Sequence, residues 1–264
     1  MFPGFHFGDY LLGSYAICAI IGIFAASPIA IHYYKKFTGD DVSMINILLF
    51  SAIGVFLGMH LLYGITNIHY WKTMFEAEGF IDFWKRFAAV FGGSVFYGGL
   101  IGGLIAGGIA IKALKLPAQI ATDCVAPSIA LMHGIMRVGC FMGGCCYGIE
   151  WEHGITFTNS LVESANGVPR VPVQLFEAGF EVALFFLLWI LLKKTDKLKG
   201  MLLALYLLIY SVGRFLLEFL RGDEYRGFLF GLSTSQIISI LLFTGTVVFF
   251  ILKLKKQRDI PEKI

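Results

Sequence analysis

GMLLALYLLIYSVGRFLLEFL, residues 200–220, carries only two charged side chains, Arg214 and Glu218. A transmembrane helix needs about 20 mostly apolar residues, so this stretch is long enough to cross a bilayer. By insertion scales an arginine at the centre of such a helix costs about 2.5–3.5 kcal/mol, and it has to face other protein or a wet cavity. A lone lipid-facing anchor does not satisfy it. The stretch therefore predicts a helix inside a bundle of membrane spans.

Six further windows have the same character, at roughly 10–33, 43–66, 87–111, 120–141, 174–192 and 234–252 by the same length rule. The expected fold class is all-α, a polytopic integral membrane protein of about seven transmembrane helices. Composition agrees: 57% of the 264 residues are hydrophobic and 15% charged, too little charge to coat a soluble globule of this size. The net charge of +3 calls for no nucleic acid. The start, MFPGFHFGDY, holds no Lys or Arg and so lacks the basic region of a cleavable signal, and the first window reads as a retained span. With the N-terminus outside and the C-terminus cytoplasmic, thirteen basic residues fall inside, around Lys35, Lys112, Lys193 and the C-terminal tail, and six fall outside. The positive-inside rule selects that orientation. A single transmembrane domain, 1–264, is expected. Extramembrane structure is confined to two outside loops, about 68–86 and 147–172 by the window boundaries. The first contains HYWKTMFEAEGFIDFWKRF, which fits an interfacial helix and a plain loop equally.

Arg137 and Arg214 sit deepest among the basic residues. Intramembrane arginines mark functional sites by default, although a carboxylate partner that only fixes helix packing would also account for them. Tyr210, Arg214 and Glu218 follow one another at helical i, i+4 spacing, with Arg221 a turn further on. Glu177 and Glu181 form a second i, i+4 pair, in which either one carboxyl is protonated or both meet an arginine. Guanidinium forks bind phosphate bidentately, so the stripe suits an anionic lipid headgroup. In FGGSVFYGGLIGGLIAGG, residues 91–108, Gly98 with Gly102 and Gly99 with Gly103 repeat the spacing that lets helices approach closely. The same glycines would also admit a ligand beside Tyr97. MRVGCFMGGCCYG, residues 136–148, holds Cys140, Cys145 and Cys146. A C-x4-C-C spacing is no standard zinc pattern, so packing or redox chemistry is the expected role and no metal is assigned. Cys18 and Cys124 read as buried fillers, and His60 and His133 as hydrogen-bonded packing residues.

In this order the motifs resemble the bacterial prolipoprotein diacylglyceryl transferases. Gly13-Ser14-Tyr15 stands where the family has Trp-Tyr-Gly, and YGGLIGG from Tyr97 where it has His-Gly-Gly-Leu-Ile-Gly. MRVGCFMGG resembles Gly-Arg-x-Gly-Asn-Phe-x-Asn, with Arg137 in the arginine position, and VPVQLFEAGFE resembles Pro-x-Gln-Leu-Tyr-Glu. YSVGRFLLEFLRGDE matches Tyr-x-x-x-Arg-x-x-x-Glu-x-x-Arg, and LSTSQIISI resembles the Gln-x-x-Ser start of the last span. The chain departs from the pattern at Tyr97, where the family has histidine, at Cys140 and Gly143, where it has asparagines, and at Cys145, where it has an acid.

The resemblance implies transfer of a diacylglyceryl group from phosphatidylglycerol to the lipobox cysteine of a prolipoprotein. It implies a multi-pass protein of the bacterial cytoplasmic (inner) membrane, with its active site toward the outer leaflet. Arg137, Tyr97, Arg214 and Glu218 then take the catalytic positions, and Tyr15, Gly98, Gly99, Cys140, Gln174, Glu177, Tyr210 and Arg221 the substrate-binding ones. No metal or organic cofactor is expected. Two alternatives stay open: a lipid- or thiol-modifying enzyme that uses its own CxxxxCC cysteines, and a membrane transporter.

Overall fold

The computed structural model describes residues 1–8, 10–93, 95–194, 198–223 and 227–258. In chain order these form β1 (Gly4–Phe7), β2 (Tyr10–Gly13), α1 (Ser14–Thr38), α2 (Val42–Thr66), α3 (Trp71–Phe75), α4 (Phe80–Phe91), α5 (Phe96–Ala113) and α6 (Ala118–Gly143). There follow β3 (Glu150–Thr156), β4 (Pro169–Arg170), α7 (Val173–Lys194), α8 (Leu202–Leu217), β5 (Phe228–Leu229), β6 (Leu232–Ser233) and α9 (Thr234–Arg258). The strands pair as three antiparallel two-stranded ribbons, β1 with β2, β3 with β4 and β5 with β6.

Six helices are long and apolar enough to cross a membrane: Ser14–Thr38, Val42–Thr66, Ala118–Gly143, Val173–Lys194, Leu202–Leu220 and Thr234–Lys256. Only 11% of the most apolar window of α2 is buried, so most of its side chains need an apolar surrounding from outside the chain. The fold is that of a polytopic membrane protein. The expected span at 87–111 takes another form: α4 ends at Phe91 and a separate helix, α5, begins at Phe96, with an apolar portion, Gly98–Ala113, shorter than the other six. The break falls at Gly92 and Gly93, where a side chain at Gly93 would overlap the Tyr63 ring. Hydropathy runs straight through that turn and conceals it. The aromatic segment before it is helical, as α3 and the amphipathic α4.

Two compact units make up the chain, residues 34–121 and residues 1–33 with 122–264. In the first, α2 and α5 touch backbone to backbone. A Cβ at Gly58 would overlap the Gly98 carbonyl oxygen, and one at Gly102 would overlap that of Gly54. A Cβ at Gly99 would stand 3.3 Å from Val55 Cγ1. The paired-glycine spacing in the sequence thus does the work of close helix approach. His60 Nδ1 joins the same unit's backbone, 2.8 Å from the Phe91 carbonyl and 2.9 Å from that of Gly93.

In the other unit α6, α7 and α8 share a core that includes Ala126, Ala130, Leu184, Leu188, Leu202 and Tyr206. The small alanines bring α6 close to its neighbours, and Gly134 lies 3.3 Å from the Ala178 carbonyl of α7 by its Cβ direction. Asp123, buried on α6, accepts hydrogen bonds from the backbone amides of Gly200 and of Leu202, the latter at 2.9 Å. A carboxylate is stabilised there by the unsatisfied amides at the α8 N-terminus, and it fixes where that helix starts. α9 opens with a reciprocal cap: Ser233 Oγ accepts from the Gln236 amide at 3.2 Å, and Gln236 Oε1 from the Ser233 amide at 3.0 Å.

Replacing Gly102 by Val should lower the thermal midpoint in detergent, because overpacking a tight contact costs about 1–3 kcal/mol or more. Gly108→Ala, with open space around its Cβ, should leave the midpoint unchanged or raise it. Equal midpoints for the two variants would contradict the glycine contact.

Candidate active site

Three helices bring the polar side chains of the membrane segments to one place. α6 supplies His133 and Arg137, α7 supplies Glu177 and Glu181, and α8 with its last turn supplies Tyr206, Tyr210, Arg214 and Glu218. Each set repeats every four residues, so each helix presents one polar stripe to the others. Rungs form between the stripes. Arg137 Nε lies 3.0 Å from Glu177 Oε2, and Arg214 Nη1 lies 3.8 Å from the same oxygen. Glu177 is 2% exposed, so one buried carboxylate sits between two guanidiniums from different helices. Arg214 is held further by Glu218 Oε2 at 2.7 Å and by Ser235 Oγ of α9 at 3.1 Å.

A second rung lies one turn along. His133 Nδ1 stands 2.8 Å from Glu181 Oε1, and its Nε2 stands 3.8 Å from Glu177 Oε1. The Tyr206 hydroxyl donates to Glu181 Oε1 at 3.3 Å. Tyr210 stacks on Tyr206 at a centroid distance of 5.7 Å and meets the His133 ring edge-on at 5.3 Å. The two glutamates of α7 thus have different neighbours: Glu177 lies between the two arginines and within reach of His133, and Glu181 meets His133 and Tyr206. Arg221, beyond the last turn, forms a two-point pair with Asp223 at 2.8 and 2.5 Å and approaches Glu218 Oε2 at 3.9 Å.

Arg137 Nε and Arg214 Nη1 are buried, and neither makes an aligned hydrogen bond to another described residue. Both instead stand in ion-pair range of Glu177, Arg137 Nε closely at 3.0 Å and Arg214 Nη1 more loosely at 3.8 Å. A phosphate oxygen is the kind of acceptor that such convergent guanidiniums take.

The cysteine segment lies beside this cluster. Arg137 Nη1 is 3.9 Å from Cys140 Sγ, and the Sγ atoms of Cys140, Cys145 and Cys146 all lie within 4.8 Å of one another. All three are free thiols. Gln174 Nε2 donates to the Cys145 carbonyl at 2.6 Å and ties α7 to this turn. Hydrogen bonds with Cys140 and Cys145, helped by the charges of Arg221 and Arg137, hold the Cys146 thiol well below the usual cysteine range despite its burial. Cys145 moves the other way, raised by its hydrogen bonds to Cys140 and Cys146. Gly139 lets α1 come close, its Cβ direction meeting the Tyr15 Cα at 3.0 Å, which sets Tyr15 against the Cys140 turn.

Of the residues singled out in the sequence, Arg137, Arg214, Glu218, Glu177, Tyr210, Arg221, Gln174, Cys140 and Tyr15 are gathered in this unit. Gly98 and Gly99 belong to the other unit, where they contact α2. Tyr97 is in α5 of that unit, and its side chain lies outside the described residues. Tyr206, Asp223 and Ser235 were not singled out. Tyr206 stands four residues before Tyr210 in the same stripe, so continuing the i, i+4 series would have found it.

Glu177→Ala should be among the most destabilising substitutions in the chain. Removing one partner of a buried ion pair costs about 3–5 kcal/mol. Thermal unfolding in detergent should show a larger loss for it than for Tyr206→Phe, which removes one hydrogen bond worth about 0.5–1.5 kcal/mol.

Comparison with known proteins bears on this geometry. A family model described as prolipoprotein diacylglyceryl transferase matches residues 4–252. The phosphatidylglycerol--prolipoprotein diacylglyceryl transferase 2 of Clostridium perfringens (strain 13 / Type A) is 37% identical over 258 residues, covering 95% of this chain and 94% of that protein. The phosphatidylglycerol--prolipoprotein diacylglyceryl transferase of Clostridium tetani (strain Massachusetts / E88) is 37% identical over 255 residues, covering 95% and 97%. That of Streptococcus uberis (strain ATCC BAA-854 / 0140J) is 30% identical over 260 residues, covering 96% and 95%.

Proposed function

The chain belongs to the prolipoprotein diacylglyceryl transferase family, and on that premise we propose that it transfers the diacylglyceryl group of phosphatidylglycerol to the lipobox cysteine of a prolipoprotein. The observation that carries this reading is the convergence of Arg137 and Arg214, from two different helices, on one buried carboxylate oxygen.

The reaction is a displacement at the glycerol carbon. The acceptor thiol loses its proton, its sulfur forms a bond to the carbon, and the carbon–oxygen bond to phosphate breaks. Glycerol phosphate leaves with the electron pair. Negative charge grows on the phosphate as that bond opens, and fixed donors aimed at it lower the barrier more than they tighten substrate binding. Arg137 and Arg214 supply those donors. Glu218 and Ser235 hold Arg214, and Glu177 keeps the two guanidiniums together. Gln174, Tyr210, Arg221 and Tyr15 border the bound lipid.

Proton handling is assigned to Tyr97 or to His133. His133 has the geometry of a relay, since its two nitrogens face Glu177 and Glu181 at 3.8 and 2.8 Å. A tyrosine, with an ordinary pKa of about 10, needs a neighbouring cation to serve as a base. The chain is a single transferase domain with seven crossings, α5 providing the short one. Its N-terminus is outside, its C-terminus is cytoplasmic and its site faces the outer leaflet of the bacterial cytoplasmic membrane. The excess of lysine on one set of loops supports that orientation.

The test is diacylglyceryl transfer to a lipobox peptide in phosphatidylglycerol liposomes. Arg137→Ala and Arg214→Ala should each lose about 100-fold or more in turnover, the scale of removing a transition-state charge donor. Arg214→Lys should recover only part of it, because a point charge does not replace a planar fork. Normal turnover by both alanine variants would sink the assignment.

A further inference from the structure

Cysteines 140, 145 and 146 are spread over a helix end and the turn after it, and the backbone folds them into one cluster. α6 ends at Gly143, and Gly144 takes a left-handed φ of 75°. The Cys145 amide then donates back to the Cys140 carbonyl at 3.1 Å. Cys146 itself adopts a φ of 57°, a conformation that a side chain other than glycine disfavours. Such a residue persists where its surroundings over-determine it, and functional sites are where this happens. The surroundings here are built to do so. Gln174 grips the Cys145 carbonyl, the Gly148 amide bonds to the Val171 carbonyl, and the Gly222 amide to that of Tyr147. The turn is therefore fixed from α7 and from the end of α8. Cys140 is buried, while Cys145 and Cys146 are half-buried.

We propose that Cys140, Cys145 and Cys146 form a three-thiolate site for a zinc ion whose open fourth position receives the acceptor cysteine thiol. The inference rests on the transferase reading above for the identity of that fourth ligand. Soft thiolate ligands favour zinc and copper(I) among biological metals. Zinc sites that do chemistry keep three protein ligands and one open position, with Zn–S bonds of about 2.3 Å. Tetrahedral bonds of that length set the sulfurs about 3.8 Å apart, so the triangle has to close by about 1 Å or less. The charges also fit. Three thiolates leave the metal with one negative charge and a fourth raises this to two, and Arg137 and Arg221 stand against them.

The chemical gain is a nucleophile. A free thiol is mostly protonated at neutral pH, whereas a zinc-bound thiol is deprotonated outright. On binding, the acceptor thiol gives up its proton to the proton-handling side chain of the transferase reading. Its sulfur then forms the bond to the glycerol carbon as the carbon–oxygen bond to phosphate breaks, and glycerol phosphate takes the electron pair. The thioether product is a weaker ligand than the thiolate and leaves the metal. Arg137 touches both halves of this arrangement, near Cys140 on one side and Glu177 on the other, so the acceptor sulfur and the donor phosphate would meet across one guanidinium.

The experiment uses the full chain, purified in detergent under anaerobic reducing conditions, stripped with a chelator and reconstituted with cobalt(II) as a spectroscopic stand-in for zinc. Thiolate-to-cobalt charge-transfer absorption is expected for the wild type and for Cys124→Ala. It should be lost in Cys140→Ser, Cys145→Ser and Cys146→Ser, with thermal unfolding showing which variants remain folded. Adding a lipobox peptide should shift the cobalt d–d bands, and the same peptide with serine for cysteine should not. Lack of charge-transfer absorption in folded wild type, or bands indifferent to the cysteine peptide, would overturn the proposal. Transfer activity is measured on the same samples. Full activity in verified metal-free wild type would overturn the zinc site and leave the transferase reading standing. Inactive wild type that still shows both cobalt signatures would overturn the transferase reading and leave the thiolate site in place.

Discussion

One buried carboxylate, Glu177, governs the arrangement of α6, α7 and α8. Two guanidiniums placed inside an apolar bundle repel each other, and at about 4 Å and an effective dielectric near 20 a unit pair interacts by about 4 kcal/mol. Glu177 converts that repulsion into two attractions, because Arg137 and Arg214 both reach its Oε2. The consequence is register. Sliding any of the three helices by one residue rotates its stripe by about 100° and leaves a charge facing hydrocarbon. The second rung reinforces this: Arg137 meets Glu177 while His133, four residues earlier, meets Glu181, four residues later. α6 and α7 thus match as an antiparallel ladder whose steps are helical turns.

Around that ladder, close approach is arranged by small residues rather than by bulk. Ala126 and Ala130 thin α6 where α7 and α8 meet it, and Gly139 thins it where α1 passes Tyr15. The hydrophobic effect gives helices little reason to associate within lipid, so dispersion contacts and polar rungs must hold them together. Small residues shorten the distances over which both act. The same logic appears independently in α2 and α5, where glycines face carbonyl oxygens with no side chain between.

The sequence declared what is costly in lipid and hid what depends on chain reversal. Long apolar runs gave the spans, since nothing else solvates them, and arginines within those runs marked the site. Arg137, Arg214, Glu218 and Glu177 were legible for that reason. Which carboxylate served which cation was not, because i, i+4 spacing on a single helix says nothing about the neighbouring stripe. Tyr206 escaped notice since a tyrosine in a span passes as an apolar residue until its hydroxyl finds Glu181. Asp123 escaped because its partners, the amides of Gly200 and Leu202, are backbone atoms that begin a helix far along the chain. The break between α4 and α5 was masked by hydropathy that is uniform across Gly92 and Gly93. Likewise C-x4-C-C resembles no metal pattern as a string. It becomes a triangle of sulfurs only through left-handed Gly144 and Cys146.

The charge balance of the site bears on why it would favour a transition state over a bound lipid. Among the described residues, the guanidiniums of Arg137, Arg214 and Arg221 face the carboxylates of Glu177, Glu218 and Asp223. On the proposed reading, a phosphodiester with its single charge would meet guanidiniums already paired with carboxylates, which limits how deeply the ground state is bound. As the carbon–oxygen bond opens, the phosphate moves toward a second negative charge. The guanidinium donors need not move to meet it, because Glu177, Glu218 and Ser235 already hold them. Preorganised donors gain most where charge is developing, so on the proposed reading the carboxylates that weaken lipid binding would be the same groups that make the arginines effective in catalysis.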